Sequence, residues 1–453
     1  MDVSTGAIAP GEIKMNTRHI LTAALLVALF SAPAVAQTGH ALNGVGAVNQ
    51  SMAGAGTALP LDPSGAIHWN PASISGLETS EIQFSMEMMR PSLTLESTAF
   101  VPDGLGGFVP FSGSTEGTDG IFAIPSFGMV YKTDGPWTFG MGAYGISGFG
   151  VNYPGDAMNP ITAPQSDGGF GSIYSQFGML QVAPTFAYQV NDKWSIGFAP
   201  TINQAVLAVD PFPAATPGAD GYPGANHTAS AWGYGGQVGV YYMDDMSGIS
   251  FGASYKSTQK FEDFEWNVNP YVDMFGGTVD LLSFGMDYPA MASVGVGFSG
   301  MEGWKFAFDA RYIDYANTNG FGDPGFEDGV VDGFGWDSIM VFALGAQYEV
   351  DDCLSFRFGV AMNDNPISSE NAMFNVAAPG CVEQHASAGL SYCVGKDFFF
   401  DITYRKAFEN SASGMLWGDH DGNPGTPPEQ VPGTDVTSTL STDSLLIGFR
   451  VKF

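Results

Sequence analysis

Cations are scarce in this chain: 15 Lys and Arg stand against 46 Asp and Glu in 453 residues. Those that remain recur in one setting, each alternating with aromatic or aliphatic side chains. In residues 304–316, Phe306, Phe308, Ala310 and Tyr312 share a parity, against Lys305, Asp309 and Arg311. Near residue 400, Phe398, Phe400, Ile402 and Tyr404 oppose Asp401, Thr403 and Arg405. Phe356, Phe358 and Val360 oppose Ser355 and Arg357, while Phe251, Ala253 and Tyr255 oppose Ser254 and Lys256. At the C-terminus Leu445, Ile447, Phe449, Val451 and Phe453 oppose Leu446, Gly448, Arg450 and Lys452. Confined cations can do two kinds of chemistry. They can pair with carboxylates such as Asp309 and Asp401 as an internal ion network, or they can receive the carboxylate headgroup of a ligand through charge-assisted hydrogen bonds. Lys256, Arg311, Arg357, Arg405 and Arg450 are the candidates, and both uses stay open at this level.

Other chemistries find little support. Cys353, Cys381 and Cys393 have no CxxC or Cys/His spacing for a metal. There is no GxSxG nucleophile elbow, and His385 is the one histidine placed near a loop where a lipase-like site could form. No GxxxxGK phosphate loop occurs, so no ATP site and no cofactor are expected. The run from Asp419 to Asn423 has the acidic spacing of a calcium loop, but Pro424 displaces the glycine and no Glu falls at the twelfth place. A net charge of −31 excludes a nucleic-acid partner, which needs a basic footprint.

The elements that must carry these residues are strands. A period of two puts alternate side chains on opposite faces. A Lys or Arg at the lipid midplane costs about 2–4 kcal/mol, so the aromatic face looks outward to lipid and the cationic face inward to a lumen. About fourteen such runs are found between residues 80 and 453, among them 80–89, 249–266 (followed by a long loop over 267–286) and 441–453; an even number is what a single-chain antiparallel transmembrane β-barrel needs. Short polar turns, such as those at 134–136, 191–193 and 395–396, alternate with long Gly/Pro-rich loops. That asymmetry puts the short turns and both barrel ends at the periplasmic rim. Composition agrees: 45% hydrophobic, 13% aromatic, 13% charged and 61 glycines. Lys14 and Arg18, an apolar run over 20–30 and Ala34-Val35-Ala36 predict a signal peptide over 1–36, with Met15 as an alternative start. A terminal Phe on the lipid face suits the membrane interface. The acidic loops are either solvated or share divalent cations with outer-membrane lipid, lipopolysaccharide included. Cys353 and Cys393 fall at one periplasmic hairpin and are the favoured disulfide, with free buried thiols the alternative.

Residues 37–79 differ from the rest. They are rich in Gly, Ala and Ser without a two-residue period, and Leu59, Leu61, Ile67 and Trp69 argue against plain disorder. Such a segment can enter the barrel from the periplasmic end as a plug.

Gly46-Ala47-Val48-Asn49, Ser51-Met52-Ala53-Gly54-Ala55-Gly56 and Trp69-Asn70-Pro71-Ala72 resemble the N-terminal hatch of the FadL-type outer-membrane transporters. Pro125-Ser126-Phe127-Gly128, Lys193-Trp194-Ser195-Ile196-Gly197, Phe356-Arg357-Phe358-Gly359 and Asn365-Pro366 extend the resemblance along nearly the whole mature chain. It implies a monomeric fourteen-stranded barrel with hatch 37–79 and barrel 80–453, in the outer membrane of a Gram-negative bacterium. It implies diffusion-driven uptake of a hydrophobic small molecule: long-chain fatty acids first, aromatic or alkane hydrocarbons as the alternative. A general porin, an adhesin or a lipase is more remote. The hatch motif maps to Asn70, Pro71 and Ala72. Sideways exit at a kinked third strand maps to Gly142, Gly145, Gly148 and Gly150, since glycine in a strand often marks a bend. Capture by apolar loop surface would use Met158, Ile161, Phe170, Ile173, Phe212 and Tyr222.

Overall fold

The structure is a computed structural model that describes residues 38–118, 120–327, 330–418 and 428–453. The leader and the Asp419–Asn423 run lie outside the described residues. Fourteen antiparallel strands close into one barrel. They are β1 Glu81–Pro102, β2 Phe122–Lys132, β3 Trp137–Tyr153, β4 Ile173–Gln189 and β5 Trp194–Asp210. Next come β6 Ala225–Asp244, β7 Ile249–Lys256, β8 Met291–Met301, β9 Trp304–Ile313 and β10 Ile339–Glu349. The circuit ends with β11 Leu354–Asn363, β12 Gln384–Cys393, β13 Phe398–Gly414 and β14 Asp435–Lys452. Closure runs through β1, which pairs with β14 from Glu81↔Lys452 to Thr98↔Asp435 and with β2 from Glu81↔Val130 to Met89↔Phe122. No described helix is long and apolar enough to cross a membrane.

The two faces divide as the alternation demands. Phe251, Phe308, Phe358, Tyr404 and Phe449 are exposed on the outside. Lys256, Arg311, Arg357, Arg405 and Arg450 are buried on the inside. Lys452, at the rim, is only partly buried and lies 3.8 Å from Glu81.

Several strands run longer than the alternation predicts. β1 continues past Met89 to Pro102 and is joined by a return strand, Phe108–Glu116. β14 begins at Asp435 rather than near Ser441. Above the membrane the pattern inverts. On β1, Leu93 and Leu95 point into the barrel while Ser92 and Glu96 face out. Water then bathes the outer face and apolar packing fills the lumen, so a rule written for a lipid-facing strand stops early. β7 is shorter than its apolar run: it ends at Lys256, and the expected loop after Trp266 holds a hairpin, Phe264–Val272 with Thr278–Phe284.

Residues 38–80 fill the lumen and are almost entirely buried. They carry two short helices, α1 Ala47–Ser51 and α2 Pro63–Trp69, the latter opened by Pro at a position where its missing amide costs nothing. Neither is long enough to be stable alone; the barrel wall holds them. Gly54 shows how tight the fit is: it has a φ of 81°, and a Cβ there would lie 1.7 Å from the Asn43 carbonyl oxygen.

Candidate functional site

Three regions succeed one another between the outer loops and the wall of the barrel. The outermost is an apolar groove of about 660 Å³ among the long loops. Ile161, Phe170, Ile173 and Tyr222 line it on one side, with Phe374 and Trp417 on the other. Phe170 stacks on Tyr222 at 5.7 Å, and Phe374 lies 5.3 Å from Trp417. Gln165 Oε1 accepts the Tyr222 amide at 2.8 Å and so ties two loops together. Of the six capture candidates, four border this groove. Phe212 instead packs inward against Trp266 at 5.3 Å, and Met158 is 65% exposed on the outer side of its loop. Phe326, Val331, Met373, Val376 and Ala377 also contribute lining that the alternation could not reveal, because loops carry no period.

Beneath the groove is a layer of rings. His40, from the first part of the hatch, is surrounded by Phe177, Tyr288, Tyr315, Phe321 and Trp336, with the Phe321 ring at 4.1 Å. Its Nδ1 meets the Tyr315 hydroxyl at 2.9 Å, and that hydroxyl donates to the Thr38 carbonyl at 2.7 Å. Burial holds His40 neutral, its pKa well below the usual value.

Below the rings the cations meet the hatch. Arg311 lies 2.6 Å from Asp309 and stacks over the Trp69 ring at 3.5 Å. Asp309 Oδ2 also accepts the amides of Gly56 and Thr57 at 2.8 and 3.0 Å. Arg405 pairs with Glu87 at 2.5 Å, and Glu87 accepts from Gln50 of the hatch at 2.6 Å. Arg450 pairs with Asp401 at 2.9 Å. Arg357 donates from its three nitrogens to Gln347, Ser391 and Ser355. Lys256 is different. It has no carboxylate in ion-pair range among the described residues. Its ammonium donates to Gln181 at 3.2 Å and lies 3.4 Å from His68 Nδ1. Burial, aided by Lys256 and Arg311, keeps His68 neutral, so it can accept from the ammonium. The His68 ring is 5.5 Å from that of buried Tyr144, whose hydroxyl has no partner among the described residues.

The hatch motif sits against the wall. Asn70 donates to Thr57 O and Val240 O, both at 2.9 Å, and accepts the Ala72 amide at 3.0 Å. The wall makes room with glycine: a Cβ on Gly239 would lie 2.0 Å from Asn70 Oδ1, and one on Gly197 would lie 2.3 Å from the Ala72 nitrogen. Pro71 lies between these contacts.

The wall itself is interrupted at β3. β2 and β3 pair only from Lys132↔Thr138 to Ser126↔Tyr144. Above that rung β2 stays with β1, while β3 stays with β4 up to Tyr153↔Ile173. Pro125 follows the last rung on β2, and proline cannot donate to a ladder. β3 is bulged between Gly145 and Ser147, and a bulge bends its strand. The hatch supplies the missing edge: Leu42 donates to Ile146 O at 2.9 Å and Gly148 donates to His40 O at 3.0 Å. Of the four glycines, Gly145 is at the bulge and Gly148 binds the hatch. Gly142 and Gly150 lie in regular pairing with β4. A small crevice lies beside the bulge, lined by Leu42, Gln50, Glu87, Ile124, Pro125 and Gly145.

At the periplasmic end a wider vestibule is lined by Glu81, Lys305, Glu349, Arg357, Arg450 and Lys452. Cys353 and Cys393 are bridged on its rim, their Cα atoms 4.7 Å apart, and Cys381 is buried as a free thiol. His385 meets Asn363 at 3.1 Å.

The chain is 24% identical over 417 residues to the long-chain fatty acid transport protein of Salmonella typhi, covering 84% of this chain and 89% of that one. It is 24% identical over 429 residues to its Escherichia coli K12 namesake, with the same coverage. Among solved structures, the P. putida toluene transporter TodX superposes with a TM-score of 0.66 at 15% identity, over 91% of this chain and 99% of that one. A Pseudomonas aeruginosa FadL homologue gives 0.67 at 16% identity, over 92% and 100%. These structural likenesses establish the barrel fold. The family profile described as "Outer membrane protein transport protein (OMPP1/FadL/TodX)" matches residues 27–424. The chain therefore belongs to the OMPP1/FadL/TodX family: it is an outer-membrane channel of Gram-negative type for hydrophobic substrates, and not an enzyme.

Proposed function

We propose that this channel, acting as a monomer, takes up long-chain fatty acids by diffusion and releases them sideways between β2 and β3. Residues 37–79 act as the hatch and residues 80–453 as the barrel. The loop groove captures the alkyl chain, since burying it removes apolar surface from water at about 25 cal/mol per Å². The acid headgroup then seats on Lys256, with the Tyr144 hydroxyl as a second donor. The observation that carries this reading is Lys256 itself. It is a buried amine without a carboxylate partner among the described residues, and the His68 ring it approaches stands edge-on to Tyr144, whose buried hydroxyl is unpaired among the described residues. A buried charge calls for a counter-charge, and a fatty acid carries one.

The charged vestibule favours sideways release over exit through the periplasmic end. A chain of about fifteen methylenes entering water there would forfeit roughly 12 kcal/mol at about 0.8 kcal/mol per group. A gap in the wall beside Gly145 would lead to the apolar bilayer instead, and the edge closed by Leu42 and His40 is the part of the hatch that must move.

Uptake of a monoaromatic hydrocarbon is a second reading, favoured by the ring layer around His40. The two separate on Lys256→Gln and Lys256→Met. Binding of a C16 fatty acid should weaken at least tenfold while toluene binding stays within twofold. Equal effects on both ligands, in barrels of normal stability, would remove the acid reading.

A further inference from the structure

Three adjacent strands change character at the same height on the outer wall. On β1 the outward residues Ile82, Phe84, Met86 and Met88 give way to Arg90. On β14 Val451, Phe449, Ile447 and Leu445 give way to Asp443, and on β13 Phe398, Phe400, Ile402 and Tyr404 give way to Lys406. The register aligns all three changes. Met88 pairs with Leu445 and Leu445 with Tyr404; one step up, Arg90 pairs with Asp443 and Asp443 with Lys406. Arg90, Asp443 and Lys406 thus form the first polar row above the apolar belt.

That height is the headgroup level of the outer leaflet. Arg90 is nine residues along β1 from Glu81 at the periplasmic rim, or about 30 Å at ~3.3 Å per residue. With a strand tilt of ~40°, the vertical rise is roughly 23 Å, close to the ~25 Å apolar band of such barrels. Lys406 reaches Asp443 at 2.9 Å, with side chains 31% and 43% exposed, and Tyr404 donates to the same carboxylate at 2.5 Å. Arg90, exposed, adds its positive field to Asp443 but makes no ion pair among the described residues. The row therefore carries two cations to one anion, on a chain whose net charge is −31. Asp443 spaces the two cations one strand apart on either side, leaving their outer donors to lipid. An arginine fork and a lysine point charge suit phosphate oxygens, and the surrounding acidic loops would repel an anion elsewhere.

We propose that Arg90 and Lys406, spaced by Asp443, hold a phosphate of a phosphorylated glycolipid of the outer leaflet, its acyl chains lying down the apolar strips of β1, β14 and β13. This site stands apart from the substrate route and does not depend on which hydrophobic molecule is carried.

The test is titration of the detergent-solubilised barrel with diphosphorylated lipid A, dephosphorylated lipid A and inorganic phosphate, read by native mass spectrometry. The wild-type chain should bind the diphosphorylated lipid at least tenfold more tightly than the dephosphorylated one. Arg90→Gln with Lys406→Gln should abolish that preference, while Arg90→Lys with Lys406→Arg should keep most of it. Heat-dependent gel mobility checks that each variant is folded. Equal binding of the two lipids by the wild-type chain would overturn the proposal even if the glutamine variant does not fold. So would an undiminished preference in that variant when folded, or binding of inorganic phosphate with no preference between the lipids.

Discussion

Leu42 donates its amide to the carbonyl of Ile146 at 2.9 Å, so the leading part of the hatch completes an edge of β3 that β2 leaves unpaired. With the bond from Gly148 to His40 O, it joins the plug to the wall beside the bulge at Gly145. If release is sideways, this contact must break in every transport cycle.

A covalent lock tests that requirement. Ala41 and Ser147 face each other as bridge partners. Ala41→Cys with Ser147→Cys, oxidised, should cut substrate uptake at least tenfold without weakening capture at the loop groove, and reduction should restore it. Unimpaired uptake by the cross-linked chain, with cross-linking verified by mass, would place the exit elsewhere.

The Arg311–Asp309 pair is expected to anchor the hatch. Asp309→Ala strips the counter-charge from a buried guanidinium, at a cost of about 3–5 kcal/mol. It also frees the amides of Gly56 and Thr57. Hydrogen exchange should show those two amides losing protection, and planar-bilayer recordings should show larger, noisier conductance. Alanine at Arg311 or Arg405 would loosen the hatch in the same way, so loss of uptake there does not report a headgroup contact; Lys256 is the position that does. Deletion of residues 37–73 should leave the barrel folded and abolish selective uptake.

Trp417→Ala should weaken capture. Its ring borders the groove against Phe374, and losing a half-buried aromatic should raise the dissociation constant roughly tenfold, as burial is worth about 1.5–3 kcal/mol when complete. The thermal midpoint of the barrel should not change. Equilibrium binding to the purified protein separates the two.

Hatch docking should respond to pH through Asp62. Burial is the main cause that raises its carboxyl from 3.8 to about 7, with Arg450 opposing. The docked state then favours the neutral acid, so its stability is full below the undocked value near 3.8 and falls as pH rises towards 7. Above that range the dependence flattens. Exchange protection in α2 should decline between pH 4 and 7, and Asp62→Asn should flatten the profile. A wild-type profile that rises with pH would contradict it.

Much of the barrel was legible in the chain because lipid imposes a strict rule. Each crossing residue faces either hydrocarbon or the lumen, and that choice repeats every second position. Lys256, Arg311, Arg357, Arg405 and Arg450 could therefore be read as lying on the face opposite the aromatic residues, and fourteen strands could be counted. Above the membrane the constraint lapses, which is why β1 and β14 were read too short and the hairpin after Phe264 was missed.

The partners of those cations were not legible. Glu87 lies in β1 and Arg405 in β13, 318 residues apart in sequence, and only barrel closure sets them side by side. The same holds for the loop groove, where five loops meet, and for the row of Arg90, Asp443 and Lys406. Local alternation settled which way each side chain points, because that is fixed by backbone geometry within a strand. Which buried charge is matched by a carboxylate, which is not, and where β2 and β3 separate depended on inter-strand register and on the packing of residues 38–80, and these exist only once the sheet has closed on itself.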